Sequence, residues 1–295
     1  MRKRHCRAEG GVPIAYRVVG GRKGARDMVL AGGLGGTHLV WTGLARALRD
    51  RYRIVIWDYP GLSAGDPPLG DTPVDIPSLA GYQAAVLDAE GLPGAIFGGW
   101  SLGVQVILEM ARSRSDRILG MVALSGVAGR PFVADDGDEP ISAAIGLRAS
   151  IPGALEWISE RMDRIERLRS MLGRIEHPAR WAKRLGLVDP LADELVLDAV
   201  IRDFLAIDAD NYRSYVRASA EHDASDLLDR LPFPVLAIAG ERDRLVRPGR
   251  VEEMAAALPD ARFVSVRGAT HFLPLEYPEV VALAIDDFVG PGADL

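Results

Sequence analysis

The chain contains a single cysteine, Cys6, among its 295 residues. One thiol cannot close a disulfide within the chain and has no second cysteine with which to bind a metal. A disulfide-stapled fold and a cysteine-based metal site are therefore excluded. Cys6 is interpreted as a neutral residue near the N-terminus and not as a nucleophile.

The sequence also lacks a long run of basic residues, and its net charge is −6. Nucleic acid and anionic membrane surfaces bind proteins through clustered positive charge, so neither is expected as a partner. The expected partner is a small-molecule substrate. Oligomeric state has no signature in the sequence.

No apolar run of signal-peptide or membrane-span length follows the basic residues 2–4, because Glu9 and a glycine pair intervene. Neither a cleaved signal nor a membrane anchor is predicted, and a cytoplasmic location is the expectation. The composition, 48% hydrophobic and 26% charged, is that of a globular protein with a sizeable core.

Apolar runs and amphipathic segments alternate in both end portions of the chain. This alternation predicts a mostly parallel sheet covered by helices on both faces. After an N-terminal hairpin that reaches Val19, the predicted strands are 28–31, 54–57, 95–97, 118–124, 234–239 and 262–266. The predicted helices of these portions are 41–48, 79–89, 104–112, 251–258 and 279–288.

Residues 131–231 differ in composition and in hydrophobic pattern from both end portions of the chain. They are rich in Arg, Asp, Glu and Ala and have helical spacing at 155–171, 191–205 and 212–220. Prolines punctuate both junctions. The predicted organisation is therefore a first core portion, 1–130, an all-helical insert, 131–231, and a second core portion, 232–295.

The sequence Gly99-Trp100-Ser101-Leu102-Gly103 lies between a predicted strand and a predicted helix. A sharp turn there forces Ser101 into a strained conformation, and the flanking glycines let strand and helix close on each other. The turn exposes the serine hydroxyl and puts the N–H of Leu102 in the first helical turn, where an oxyanion is favoured. A surface turn whose serine merely caps the helix is the simpler alternative.

A carboxylate and a histidine each follow a later strand. Asp243 comes after strand 234–239, and His271 comes after strand 262–266. Because parallel strands end at one edge of a sheet, both side chains are expected near Ser101. The imidazole would take the serine proton and the carboxylate would orient the imidazole. Glu241 competes for the acid role but is expected to be solvated.

Taken together, these motifs resemble those of the α/β-hydrolase family with a helical cap. The turn at residues 58–65, Pro248, Pro274 and Glu276 also match the family pattern. The resemblance implies a mostly parallel eight-stranded sheet with the cap at 131–231. It further implies a serine hydrolase that cleaves a carboxylic ester, lactone or related acyl bond through an acyl-enzyme on Ser101, without cofactor or metal.

The resemblance also implies an oxyanion hole made by backbone N–H groups. Leu102 supplies one donor, and Gly33 supplies the second, with Leu34 as the neighbouring possibility. Ala31-Gly32 stands where the family usually has His-Gly, but a backbone donor does not need the missing histidine. The side chains expected to contact substrate are Leu34, His38, Trp100 and Phe272. The two aromatic side chains could equally pack beneath the substrate.

Two other functions use the same features. The triad could serve another acceptor or bond, as in an acyltransferase, a thioesterase or a C–C bond hydrolase. Alternatively, the pocket could bind a small molecule without turnover. Ser101 excludes the aspartate-nucleophile chemistry of related dehalogenases and epoxide hydrolases. Substrate identity depends on how the cap packs, which periodicity does not determine.

Overall fold

The computed structural model describes residues 2–129, 131 and 176–290. These residues contain an eight-stranded sheet with the order β1-β2-β4-β3-β5-β6-β7-β8. The strands are β1 Lys3–Arg7, β2 Pro13–Gly20, β3 Arg26–Ala31, β4 Tyr52–Trp57, β5 Ala95–Trp100, β6 Ile118–Leu124, β7 Val235–Gly240 and β8 Ala261–Val266. β1 and β2 pair antiparallel, and the strands from β3 to β8 pair in parallel. The predicted fold class is confirmed.

The central strands β3 to β7 are buried on both faces over most of their length, which explains their largely apolar character, whereas the edge strands β1 and β8 are mostly exposed or half-buried. Along β3, Val29 and Ala31 belong to the core on one face, while Met28 and Leu30 belong to the core on the other. The helices that cover these cores are α1 Thr42–Leu48, α2 Ile76–Ala89, α3 Leu102–Arg114, α7 Pro248–Ala256, α8 Leu273–Glu276 and α9 Pro278–Phe288. In the ranges described, no helix is both long and apolar enough to cross a bilayer.

The described part of the predicted insert, 176–231, is helical. Its helices are α4 Pro178–Arg184, α5 Glu194–Leu205 and α6 Ala209–Glu221. Asp193 and Asp208 cap α5 and α6 by accepting hydrogen bonds from first-turn N–H groups. The predicted helix 155–171 lies outside the described residues. The boundaries 131 and 231 stay predictions.

Strand β5 is longer than the sequence pattern indicated, because it runs through two glycines to Trp100. Gly98 and Gly99 pair with Leu30 and Ala31 of the neighbouring strand β3. A side-chain carbon on Gly98 would lie 2.6 Å from Cδ2 of Leu30, so a larger residue there would displace the Leu30 side chain. The strand therefore continues directly to the residue before Ser101.

Candidate active site

Ser101 occupies the junction between β5 and α3 with φ 54° and ψ −112°. A positive φ is costly for a serine, by about 1–3 kcal/mol, and is retained where the surroundings enforce it. The Ser101 N–H donates to the carbonyl of Leu124 on β6 (2.9 Å), and the Ser101 carbonyl accepts from the N–H of Val104 (3.0 Å). The turn predicted from the glycine-flanked serine therefore exists and is pinned on both sides.

The two flanking glycines permit close backbone contact. A side-chain carbon on Gly103 would lie 2.2 Å from the carbonyl oxygen of Ala31, and one on Gly99 would lie 2.6 Å from the carbonyl carbon of Gly103. No larger residue fits either position without moving backbone. The glycines thus bring strand and helix together around the serine.

Asp243 and His271 form a buried pair at the same edge of the sheet. The Nδ1 atom of His271 lies 2.8 Å from Oδ2 of Asp243. The other carboxylate oxygen, Oδ1, accepts from the N–H groups of Leu245 (2.8 Å) and Val246 (2.9 Å), so the carboxylate is fixed in the loop after β7. Since Nδ1 donates to Asp243, Nε2 is the nitrogen left for a substrate or serine proton. The competing carboxylate, Glu241, is exposed and accepts instead from the N–H of Gly268 (2.9 Å).

Trp100 joins the serine turn to the histidine loop. Its indole N–H donates to the backbone carbonyl of His271 (2.8 Å), and the two ring centroids are 5.5 Å apart. The Phe272 ring packs on the same indole with centroids 5.7 Å apart. Trp100 is buried and Phe272 half-buried. For Trp100, packing beneath the site is therefore the alternative that its burial favours, and substrate contact by Phe272 stays a prediction.

The glycine-rich loop after β3 lies against the serine. A side-chain carbon on Gly33 would lie 3.1 Å from Cβ of Ser101 and 2.9 Å from the Trp100 ring. The loop is closed by a hydrogen bond from the N–H of Gly36 to the Gly33 carbonyl (3.0 Å). Leu34, between them, is half-buried. The N–H of Leu102 is in the first turn of α3, where helical N–H groups have no intrahelical acceptor.

His38 lies at the end of the same loop, beside Asp58. Its backbone N–H donates to Oδ1 of Asp58 (2.8 Å), and its Nδ1 lies 3.5 Å from the same oxygen. Arg17 pairs with the other oxygen. Burial raises the pKa of Asp58, but the hydrogen bonds and charges of His38 and Arg17 outweigh it and leave that pKa lowered. His38 therefore anchors the loop, and its predicted contact with substrate stays a prediction.

Sequence reasoning missed two contacts at this edge. Phe204 of α5 packs on the glycine loop, where a side-chain carbon on Gly35 would lie 2.3 Å from Cδ2 of Phe204. Glu276, noted in the sequence as a motif residue without a role, accepts hydrogen bonds from Thr270 beside the histidine. Neither contact has a periodic signal, because each joins distant segments or depends on a local turn. The motif itself was the one available clue to Glu276.

Over residues 2–129, 131 and 176–290, no group of three or more His, Cys, Asp or Glu side chains is arranged to hold a metal ion. A hydroxyl, an imidazole and a carboxylate together can supply nucleophilic attack and proton transfer. A serine on a strained strand–helix turn and a buried Asp–His pair both lie at the carboxyl ends of parallel strands, and Trp100 connects the two loops. These are the groups that a serine hydrolase uses.

The chain belongs to the alpha/beta hydrolase fold family, whose sequence profile matches residues 28–278. This match confirms the family predicted from the motifs, and the protein is a hydrolase as predicted.

Polyketide synthase ThaQ from Burkholderia thailandensis is 30% identical over 275 residues, which are 92% of this chain but 12% of that protein. The chain thus corresponds to a small part of this relative. The pimeloyl-[acyl-carrier protein] methyl ester esterase of Aeromonas hydrophila is 29% identical, with 90% of this chain and 95% of that protein covered. Among solved structures, the enol-lactonase of Burkholderia xenovorans superposes with a TM-score of 0.73 at 23% identity, covering 97% of this chain and 99% of that one. At that identity the likeness concerns the fold.

Proposed function

We propose that the protein hydrolyses a carboxylic ester, lactone or related acyl bond through an acyl-enzyme on Ser101. The hydrogen bond between His271 Nδ1 and Asp243 Oδ2 is the observation that carries this proposal. It orients the imidazole and leaves Nε2 available as a base, and Trp100, the residue before Ser101, donates to the carbonyl of the same histidine. Esterases among the curated relatives support the choice of an ester bond.

In the proposed reaction, Ser101 Oγ attacks the acyl carbon while its proton passes to Nε2 of His271. The N–H groups of Leu102 and Gly33 hold the resulting oxyanion. Collapse expels the alcohol, which takes the proton from His271 and leaves the acyl group on Ser101. Water, deprotonated by the same histidine, then attacks the acyl-enzyme and releases the acid. Asp243 keeps the imidazole oriented throughout.

The predicted helical cap, 131–231, would supply the acyl pocket over Ser101. Contact between Phe204 and Gly35 supports this arrangement, since it brings a described helix of the insert onto the glycine loop. Cytoplasmic location and the absence of a nucleic-acid partner stay predictions from the sequence.

Hydrolysis of p-nitrophenyl esters of graded chain length, alongside a panel of lactones, tests the proposal. Ser101→Ala is expected to lower kcat by at least about 10⁴-fold, because it removes the nucleophile. Ser125→Ala is the matched control, since Ser125 also has a positive φ, 46°, at the end of a neighbouring strand. We expect it to retain most of the activity. Equal activity in Ser101→Ala and the wild type would refute the proposed function.

A second candidate keeps this chemistry but adds a carrier to the substrate. One relative, whose alignment covers most of both chains, is a pimeloyl-[acyl-carrier protein] methyl ester esterase. The distinguishing experiment compares methyl esters of a free dicarboxylic acid with the same acyl group attached to a carrier protein. A kcat/KM much higher for the carrier-bound ester favours this candidate. Product analysis with water and alcohol acceptors separates hydrolysis from acyl transfer.

A further inference from the structure

Glu276 presents a buried carboxylate to three hydrogen-bond donors, and its side chain is 3% exposed. Its Oε1 accepts from the backbone N–H of Asp189 (2.8 Å) and from the hydroxyl of Thr270 (2.5 Å). Its Oε2 accepts from the backbone N–H of Thr270 (2.7 Å). Two of the three bonds therefore go to the residue immediately before His271.

Fixing Thr270 fixes the histidine, because the backbone of residue 270 sets where the Cα of residue 271 lies. His271 is otherwise held by Trp100 at its carbonyl and by Asp243 at its ring. Glu276 supplies the support on the N-terminal side. A general base must hold its geometry closely, since a displacement of about 1 Å can cost on the order of 100-fold in rate.

The same carboxylate joins the histidine loop to the helical insert. Asp189 lies in the segment that precedes α5, and it is itself buried. Its Oδ1 accepts from the N–H of Leu191 (2.9 Å), which closes a turn and holds the Asp189 backbone in place. The Thr270 hydroxyl lies 3.4 Å from the carbonyl of Leu187 in the same segment. Residues 187–189 and the histidine loop are thus held by one side chain.

The pattern of partners requires a carboxylate in particular. All three partners donate, and a carboxylate accepts at both oxygens, whereas an amide accepts at one end and donates at the other. Burial raises the pKa of Glu276 and the bonds from Thr270 and Asp189 lower it, leaving it raised overall. A glutamine would fit the space but would turn its NH₂ group toward at least one N–H or O–H donor.

We infer that Glu276 is a positioning residue for His271, and that it sets the histidine loop against residues 187–189 of the helical insert. This inference rests on the proposed function, in which His271 is the base. It assigns the motif glutamate a role in the rate of the reaction, beyond its share in stability.

The test compares Glu276→Gln with Thr270→Val, which removes the contacts of the hydroxyl with Glu276 and Leu187 but keeps the backbone N–H bond to Glu276, and with Thr270→Ser, which keeps the hydroxyl. For p-nitrophenyl ester hydrolysis, kcat is expected to fall about 10- to 100-fold in Glu276→Gln while KM changes less than about threefold. The kcat of Thr270→Val should fall less than that of Glu276→Gln, and Thr270→Ser should retain nearly wild-type kcat. Circular dichroism and thermal melts establish that each variant is folded.

A readout independent of catalysis is the far-downfield proton NMR signal of the imidazole Nδ1–H bonded to Asp243. We expect it to shift or broaden in Glu276→Gln and to match wild type in Thr270→Ser. Wild-type kcat and an unchanged imidazole signal in Glu276→Gln, with only a lower melting temperature, would overturn the inference. If Glu276→Gln does not fold, unchanged kcat and signal in Thr270→Val do the same. Failure of the proposed function is seen separately, as activity that survives Ser101→Ala.

Discussion

Two of the places where the helical insert meets the sheet core use opposite hydrogen-bonding chemistry. At the first, Asn211 of α6 donates to the carbonyls of Gly61 (3.0 Å) and Pro67 (3.1 Å) and accepts from the N–H of Leu69 (3.0 Å). At the second, the carboxylate of Glu276 only accepts hydrogen bonds, from Thr270 and Asp189. We call these the Asn211 attachment and the Glu276 attachment.

At each attachment, the donors and acceptors of the partner groups determine which side chain fits. A loop that offers both carbonyls and an N–H suits a neutral amide, which has donors and an acceptor. A site that offers only donors suits a carboxylate. The two attachments also differ in what they hold, because the Asn211 attachment fixes the loop after β4 while the Glu276 attachment fixes the residue before His271. We therefore expect the first to affect mainly stability and the second mainly rate.

Asn211→Ala should give the largest effect on stability. The substitution leaves two carbonyls and one N–H of a partly buried loop without their partner, so a loss of about 1–3 kcal/mol in the free energy of unfolding is expected. Urea unfolding measures this loss. The kcat of the folded variant should stay within about twofold of wild type.

The control for this variant is Ser214→Ala on the exposed side of the same helix, which removes only a hydrogen bond to the Asp210 carbonyl. It should be nearly neutral in both measurements. A large fall in kcat for Asn211→Ala at full folding would erase the distinction between the two attachments.

Tyr59→Phe tests a residue that belongs to the loop held by Asn211 and also contacts the candidate site. Its hydroxyl donates to the carbonyl of Gly32 (2.8 Å). That carbonyl shares a peptide group with the Gly33 N–H, the proposed oxyanion donor, so the bond both fixes and polarises the donor. A fall in kcat of about 3- to 10-fold with little change in KM is expected from steady-state kinetics. A change confined to KM would remove Tyr59 from this role.

The smallest predicted effect concerns pH and Asp58. Its pKa is lowered from the ordinary 3.8 by His38 and Arg17 against the opposing effect of burial. A lowered carboxylate pKa contributes stability that is present above the unfolded-state pKa and is lost as pH falls through the folded-state value. The difference in melting temperature between wild type and Asp58→Asn should therefore shrink from pH 7 to pH 3. A difference that grows with acidity would contradict this sign.

Much of the sheet could be predicted because burial on both faces makes the central parallel strands largely apolar, as along β3. The serine turn could be predicted because its glycines are local in sequence, and Asp243 and His271 because each follows its own strand. The contact of Phe204 with the glycine loop and that of Asp189 with Glu276 could not. Each contact joins segments far apart in sequence, and such packing produces no periodicity or residue spacing in the sequence from which it could be predicted.

Labelling of the wild-type protein with a fluorophosphonate, with the adduct located by peptide mass spectrometry, tests directly whether Ser101 is the nucleophile. One adduct on Ser101 is expected, absent in Ser101→Ala and formed far more slowly in His271→Ala, because the imidazole must accept the serine proton. Ester hydrolysis that continues while Ser101 stays unlabelled, or labelling of Ser101 at the same rate without His271, would contradict a serine, histidine and aspartate acting as one unit.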